Sequence, residues 1–175
     1  LFVYDYKTNL EKRTAYILPN TDKEVKKEMK KKCRDSGWDY NENLLYNDSM
    51  FLKLNDLLKR DKKVFMFNSN REKQEWFGPK LNQYKTLFYS GRTQNDIPNN
   101  LNEEWRNYDL VSTTSTISVG CNCDEKIFDT TLIDFNSSSK NYISDAIQAH
   151  YRVRHLKDNE IYCKITDHPF LSNIP

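Results

Sequence analysis

The segment YISDAIQAHYRVRHLKD holds the side chains with the clearest chemical potential. On a helix, Gln148 and Arg152 stand four apart and share a face, and Arg154 follows at the helix end. Guanidinium groups make bidentate bonds to phosphate oxygens and neutralise charge that develops during phosphoryl transfer. The competing role is ion pairing with surface carboxylates such as Asp145 or Asp158, which is common and weak. A second set of residues could grip a phosphate backbone: Asn68, Ser69 and Asn70; Ser90, Gly91 and Arg92; Thr113 and Thr114 in the stretch 113–120; and 136–139. Each is a small polar segment after an apolar run, rich in amides and hydroxyls that suit phosphate oxygens. The 113–116 stretch could equally be a plain polar turn.

Other chemistries lack their residues. No Gly-x-x-x-x-Gly-Lys-[Ser/Thr] loop occurs, so the chain does not cradle a triphosphate in the P-loop manner by itself. There is no Gly-x-Ser-x-Gly elbow, and Asp134 and Asp145 lack the partner pattern of paired-carboxylate catalysis. Cys33, Cys121, Cys123 and Cys163, with His150, His155 and His168, do not form paired ligands at zinc spacing, so no metal site is expected. Nor do these cysteines resemble a secreted disulfide framework, which points to a reducing, intracellular compartment.

The elements that must position these residues follow from the apolar pattern. Asp48 caps a helix with Phe51, Leu54, Leu57 and Leu58 on one face. VFMF (64–67) reads as a strand buried on both faces, followed by a helix over 71–82 and a strand at 86–89. A short helix at 101–106, strands at 108–112 and 131–135, a helix over 140–154 and a strand at 160–165 complete the series. Strands alternating with helices at this spacing predict right-handed crossovers and a mostly parallel α/β sheet. In such a sheet, function gathers at the loops leaving the carboxyl ends of the strands. Trp38, Trp76 and Trp105 read as core or interface aromatics, with base stacking the alternative; Trp105, before a buried strand, is the most core-like.

Residues 1–47 read differently, as an N-terminal extension to a domain over 48–175. Two apolar runs around KTNLEK predict a hairpin within 1–18. The stretch TDKEVKKEMKKKC predicts a charged helix with a thin seam at Val25 and Met29. Its charged surface reads as a solvated face, with a contact to DNA phosphates as the alternative. Across 175 residues the charges nearly cancel, 27 basic against 25 acidic for a net +2, which argues against a polybasic tail. No apolar run approaches the roughly 20 residues that span a bilayer, and the start has no signal-peptide pattern. The missing initiator Met marks the chain as a piece of a larger protein.

The succession KKVFMFNSN, KTLFYSGR, YDLVSTTSTISVGCNCD and DAIQAHYRVRHLKD resembles motifs IV, IVa, V and VI of the second RecA-like domain of superfamily 2 helicases. The Arg-Val-Arg form of motif VI and the Ser-rich motif V are similar to the origin-binding-protein helicases of herpesviruses and large DNA viruses. The resemblance covers residues 48–165. It implies a RecA-like fold and the C-terminal motor half of an ATP-dependent DNA helicase, with single-stranded or duplex DNA and replication proteins as its partners. ATP and Mg²⁺ would be held mainly by a first RecA-like domain that supplies the P-loop, so the isolated chain would be inactive.

Residue by residue, the resemblance places Thr114 on the phosphate-binding Thr six positions before Gly120. The ribose-binding Asp falls on Asn122, with Asp124 nearby. Gln148 and Arg152 match motif VI, while His155 stands where a second arginine belongs and Arg154 replaces it. Arg152 and Arg154 would serve the ATP phosphates. Asn68, Ser69, Asn70, Ser90, Arg92, Thr113 and Thr114 would lie along the nucleic-acid track. His155 and Asn122 are departures that suit an alternative, a non-hydrolysing module binding nucleic acid or a replication partner. An RNA motor is a further alternative.

Overall fold

Apolar runs and amphipathic stretches alternate along the chain, and the computed structural model assembles them into one sheet covered by helices. It describes residues 12–20, 23–37, 39, 45–91, 100–115, 122–137 and 143–166. The strands are β1 (Thr14–Ile17), β2 (Val64–Asn68), β3 (Thr86–Tyr89), β4 (Leu110–Thr113), β5 (Thr130–Asn136) and β6 (Glu160–Thr166). They lie in the order β1-β6-β5-β2-β4-β3, and every pairing is parallel. All carboxyl ends therefore share one edge of the sheet. The helices are α1 (Lys23–Ser36), α2 (Ser49–Lys59), α3 (Arg71–Lys80), α4 (Leu101–Trp105) and α5 (Ile143–Tyr151).

Alternation along β2 shows why the sheet must be covered twice. Val64 and Met66 pack with Met50, Leu54 and Leu58 of α2 and Phe77 of α3. Phe65 points into the opposite core with Trp105, Val111 and Phe128, and Phe67 joins Ala146 and Ala149 of α5. Successive side chains alternate faces, so a continuously apolar strand needs helices on both. Asp48 caps α2 as its position predicts, its Oδ1 accepting from Met50 N at 2.9 Å and Phe51 N at 3.4 Å. Trp105 is fully buried, and Trp76 sits in a ring cluster with Tyr46, Phe51 and Phe77. Both are packing residues; Trp38 lies outside the described residues.

Two expectations for the N-terminal segment change. Residues 14–17 form a sixth strand of the main sheet, parallel to β6 from Thr14↔Glu160 to Ile17↔Cys163. The other arm of the expected hairpin lies outside the described residues. Tyr16 stacks on Tyr162 at 5.0 Å, the kind of cross-strand aromatic contact that fixes an edge strand in register. In α1 the buried side is carried by Met29 and Cys33, not Val25, which is 47% exposed. Positions 29 and 33 are four apart, so the helical period holds with the seam rotated.

Candidate functional site

The strand-end loops converge as the parallel topology requires. Tyr89 pairs with Thr113, Phe67 with Thr113, and Asn68 with Asp134, which sets the ends of β3, β4, β2 and β5 side by side. Asn68 ends β2 fully buried, and its Oδ1 accepts from Asn70 N at 2.9 Å. Asn70 caps α3 by accepting from Lys73 N. The Ser69 hydroxyl accepts from Asn136 N at 2.7 Å, tying the β2 loop to the β5 loop. Thr113 Oγ1 donates to Thr114 O at 2.7 Å, and Thr114 N donates to Tyr89 O. Ser90 is buried beside them. These side chains shape the edge through local bonds, and Asn68 Nδ2 is a buried donor left with no hydrogen-bond partner. Arg92 lies outside the described residues.

Beneath these loops sits a cluster that the sequence reading missed. Lys73 Nζ bonds Asp48 Oδ2 at 2.9 Å and also Asp134 Oδ2, while Lys164 Nζ bonds Asp48 Oδ2 at 2.5 Å. Two ammoniums and two carboxylates balance in charge. Burial acts to raise Asp48, but Lys73 and Lys164 outweigh it and hold the carboxyl below its ordinary range. Burial likewise opposes the charge on Lys73, yet Asp134 and Asp48 raise its pKa. At Asp134 burial prevails and pushes the carboxyl up against Lys73. The cluster joins the cap of α2 to α3, β5 and β6, so it fixes the loops above it. A legible signal existed: Asp134 and Lys164 are lone charges inside the apolar runs TLIDF and IYCKI.

The arginines lie at the other edge. The chain leaves α5, and Val153 forms a parallel bridge with Cys123. Cys123 N donates to Arg152 O at 2.7 Å, and Arg154 N donates to Cys123 O at 3.1 Å. This mini-ladder places Arg152 and Arg154 beside Asn122 and Asp124, and Arg154 Nε lies 3.0 Å from Asp124 Oδ1. Asn122, Asp124 and Arg154 are exposed, Arg152 is half-buried, and Gln148 is exposed on α5. Gly120 lies outside the described residues. Cys123 itself is core, its thiol pushed up to about 11, chiefly by burial.

A latch holds this loop from the N-terminal side. Arg13, the residue before β1, donates to Val153 O at 2.5 Å, to Arg154 O at 2.7 Å and to His150 Nε2 at 2.7 Å. Because guanidinium only donates, Nε2 must accept. Nδ1 therefore carries the imidazole proton toward Thr131 Oγ1, 2.8 Å away. Burial, with Arg13's charge, drops the imidazole to about 3, so it is neutral. Since Thr14 opposes Glu160 at the start of the sheet, Arg13 marks the amino edge of the strands. The loops of β2, β4 and β5 open at the carboxyl edge, about 20 Å away along the seven residues of β5. The residues singled out in the sequence thus form two faces, not one.

Among the described residues no group of His, Cys, Asp and Glu could hold a metal ion, and no helix is long and apolar enough to cross a membrane. α5 ends at Tyr151, so Arg152 lies beyond the helix that carries Gln148. The two guanidiniums beside Asn122 and Asp124 are groups that suit phosphate oxygens and sugar hydroxyls.

A family model described as origin of replication binding protein matches residues 2–169. No curated protein sequence matches the chain. Among solved structures, the C-terminal part of the Fun30 ATPase domain is similar with a TM-score of 0.54 and 17% identity, over 81% of this chain and 50% of that one. An S. cerevisiae Dbp5 structure bound to Gle1 and IP6 is similar with a TM-score of 0.50 and 12% identity, over 71% of this chain and 34% of that one. The chain thus spans about half the length of the Fun30 chain or less of the others. These likenesses establish the RecA-like α/β fold.

Proposed function

The chain belongs to the origin of replication binding protein family, and on that premise we propose that it is the C-terminal motor domain of an ATP-dependent DNA helicase acting in replication. One observation carries the proposal: the Cys123–Val153 bridge brings the motif VI arginines onto the end of the motif V segment. Arg152 and Arg154 then stand as donors beside Asn122 and Asp124, with Gln148 exposed on the helix that precedes them. Nucleotide bound there supplies the phosphoanhydride whose cleavage drives a motor, with its P-loop and Mg²⁺ held by another domain.

What this chain contributes is position. Arg13, His150 and the mini-ladder fix the backbone of the arginine loop, so the guanidiniums enter the cleft with little freedom left to lose. The ion pair of Arg154 with Asp124 sets where the second arginine rests. Single-stranded or duplex DNA would lie across the carboxyl edge, where Thr114, Thr113, Ser90 and the Asn68–Asn70 turn shape the surface. The pairing of Arg154 within the chain favours a second reading, a module that binds without hydrolysis.

ATPase turnover by the full protein carrying this chain, measured with single-stranded DNA, separates the two. Arginine fingers contribute on the order of 10³-fold or more to kcat, so Arg152→Ala or Arg154→Ala should abolish measurable stimulation while leaving the fold intact. Unchanged turnover in both variants would remove the arginines from the reaction and place the binding module first.

A further inference from the structure

The charge of this chain is unevenly placed. α1 holds seven basic residues (Lys23, Lys26, Lys27, Lys30, Lys31, Lys32 and Arg34) and three acidic ones (Glu24, Glu28 and Asp35), so 7 − 3 gives +4. With a whole-chain charge of +2, everything outside α1 sums to −2. The signs also segregate around the helix. At 100° per residue, positions 27, 30, 31 and 34 fall on one stripe, and Glu24, Glu28 and Asp35 fall together on the next. Met29 and Cys33 turn away from both, into the fold.

Two ion pairs form along α1, Lys32 with Glu28 at 2.9 Å and Arg34 with Asp35 at 3.8 Å. Lys27, Lys30 and Lys31 are exposed and have no carboxylate partner among the described residues. Lys27 and Lys31 are four apart, as are Lys30 and Arg34, a spacing at which like charges repel along a helix. Glu28, three residues before Lys31, pairs with Lys32 instead.

The start of α1 lies at the carboxyl edge of the sheet. Leu18 N donates to Cys163 O, Asn20 Nδ2 donates to Ile165 O, and Thr166 Oγ1 donates to Asn20 Oδ1. The chain comes back to the same place when Ser49 Oγ donates to Pro19 O. The basic helix therefore springs from the edge where the strand-end loops open. A lipid surface is a poor match, because membrane-surface helices insert a broad apolar face. Of α1's apolar residues only Val25 is exposed.

We propose that the Lys27, Lys30, Lys31 and Arg34 face of α1 is a second nucleic-acid contact, binding the phosphate backbone of a single strand that continues from the strand-end loops. The contact is sequence-independent, as point-charge lysines on phosphates are. It rests on the motor reading for the identity of its polyanion, but not on hydrolysis.

The test is binding of this chain to a labelled single-stranded oligo(dT) of about 20 nucleotides, followed by anisotropy across a salt series. Each phosphate neutralised on a single strand contributes about 0.7 to the slope of log K against log salt. The triple variant Lys27→Gln, Lys30→Gln, Lys31→Gln should lower the slope by about 2 and weaken binding on the order of 100-fold at 0.1 M salt. Gln is a good helix former, and far-UV circular dichroism checks that α1 persists. A control triple, Lys59→Gln, Lys85→Gln, Lys126→Gln, removes equal charge elsewhere and should leave the slope unchanged.

An equal fall in slope for both triples, or none for the α1 triple, overturns the contact while leaving the ATPase test of the motor reading untouched. Loss of binding to phosphatidylserine vesicles in the α1 triple, with DNA binding unaltered, overturns it in favour of a lipid surface.

Discussion

Acidification from pH 7.5 to 5 should remove the stability that His150 contributes to this fold. The imidazole is 4% exposed, accepts from Arg13 at Nε2 and faces Thr131 at Nδ1. Tyr151 packs beside it at 5.4 Å. A second ring proton would face the Arg13 guanidinium, so folding holds the group neutral down to about 3, whereas an unfolded histidine titrates near 6.5. Between those values the unfolded chain binds the extra proton and the folded chain does not. Stability is therefore complete above about 6.5 and falls as pH drops, by about 1.4 kcal/mol per unit. From 6.5 to 5 the loss is about 2 kcal/mol. Urea unfolding at the two pH values measures it, and with an m-value of about 2 kcal/mol/M the midpoint should move by about 1 M. His150→Gln keeps an acceptor for Arg13 and cannot titrate. It should be weaker at pH 7.5 but lose about 2 kcal/mol less on acidification. Asp48, held low, and Asp134, pushed up by burial, are present in both proteins and so cancel in the comparison. An equal loss in wild type and His150→Gln would refute the buried neutral imidazole and the latch built on it.

Two further perturbations probe the positioning elements. Arg13→Ala removes the donor to His150 Nε2, Val153 O and Arg154 O; it should cost ~3 kcal/mol and speed amide exchange at Cys123 and Arg154, while Arg13→Lys restores part of both. Exchange rates unchanged at those amides would mean the loop holds itself. Asp134→Asn leaves Lys73 and Lys164 sharing Asp48 alone, an excess buried charge that should cost ~3–5 kcal/mol in urea unfolding; a loss under 1 kcal/mol would show that water reaches the cluster.

The buried strands and the helix face of α2 were legible because continuous apolar runs and 3.6-residue spacing depend only on local order. VFMF, TLFY and the stripe Phe51, Leu54, Leu57, Leu58 sit where the pattern put them. What pairs with what was less legible. β1 joins β6, the strand farthest from it in sequence, because the edge beside β6 offers a parallel ladder and a Tyr162 ring to stack on. No local signal encodes that. Arg13 and His150, 137 residues apart, meet for the same reason. The one available hint was that His150 falls among the inward positions of α5 with Ala146 and Ala149.

The separation of the two faces follows from that same long-range pairing. A helix between parallel strands starts at the carboxyl edge and ends at the amino edge, so a loop after β5 and the residues after α5 cannot share a site. Motif V leaves β4 at one edge, at Thr113, and its end at Cys123 lies at the other. On the proposed reading it is therefore the segment that links the Thr114 end of β4 with the arginines beside Asp124. The Cys123–Val153 bridge then joins that segment to the arginine loop.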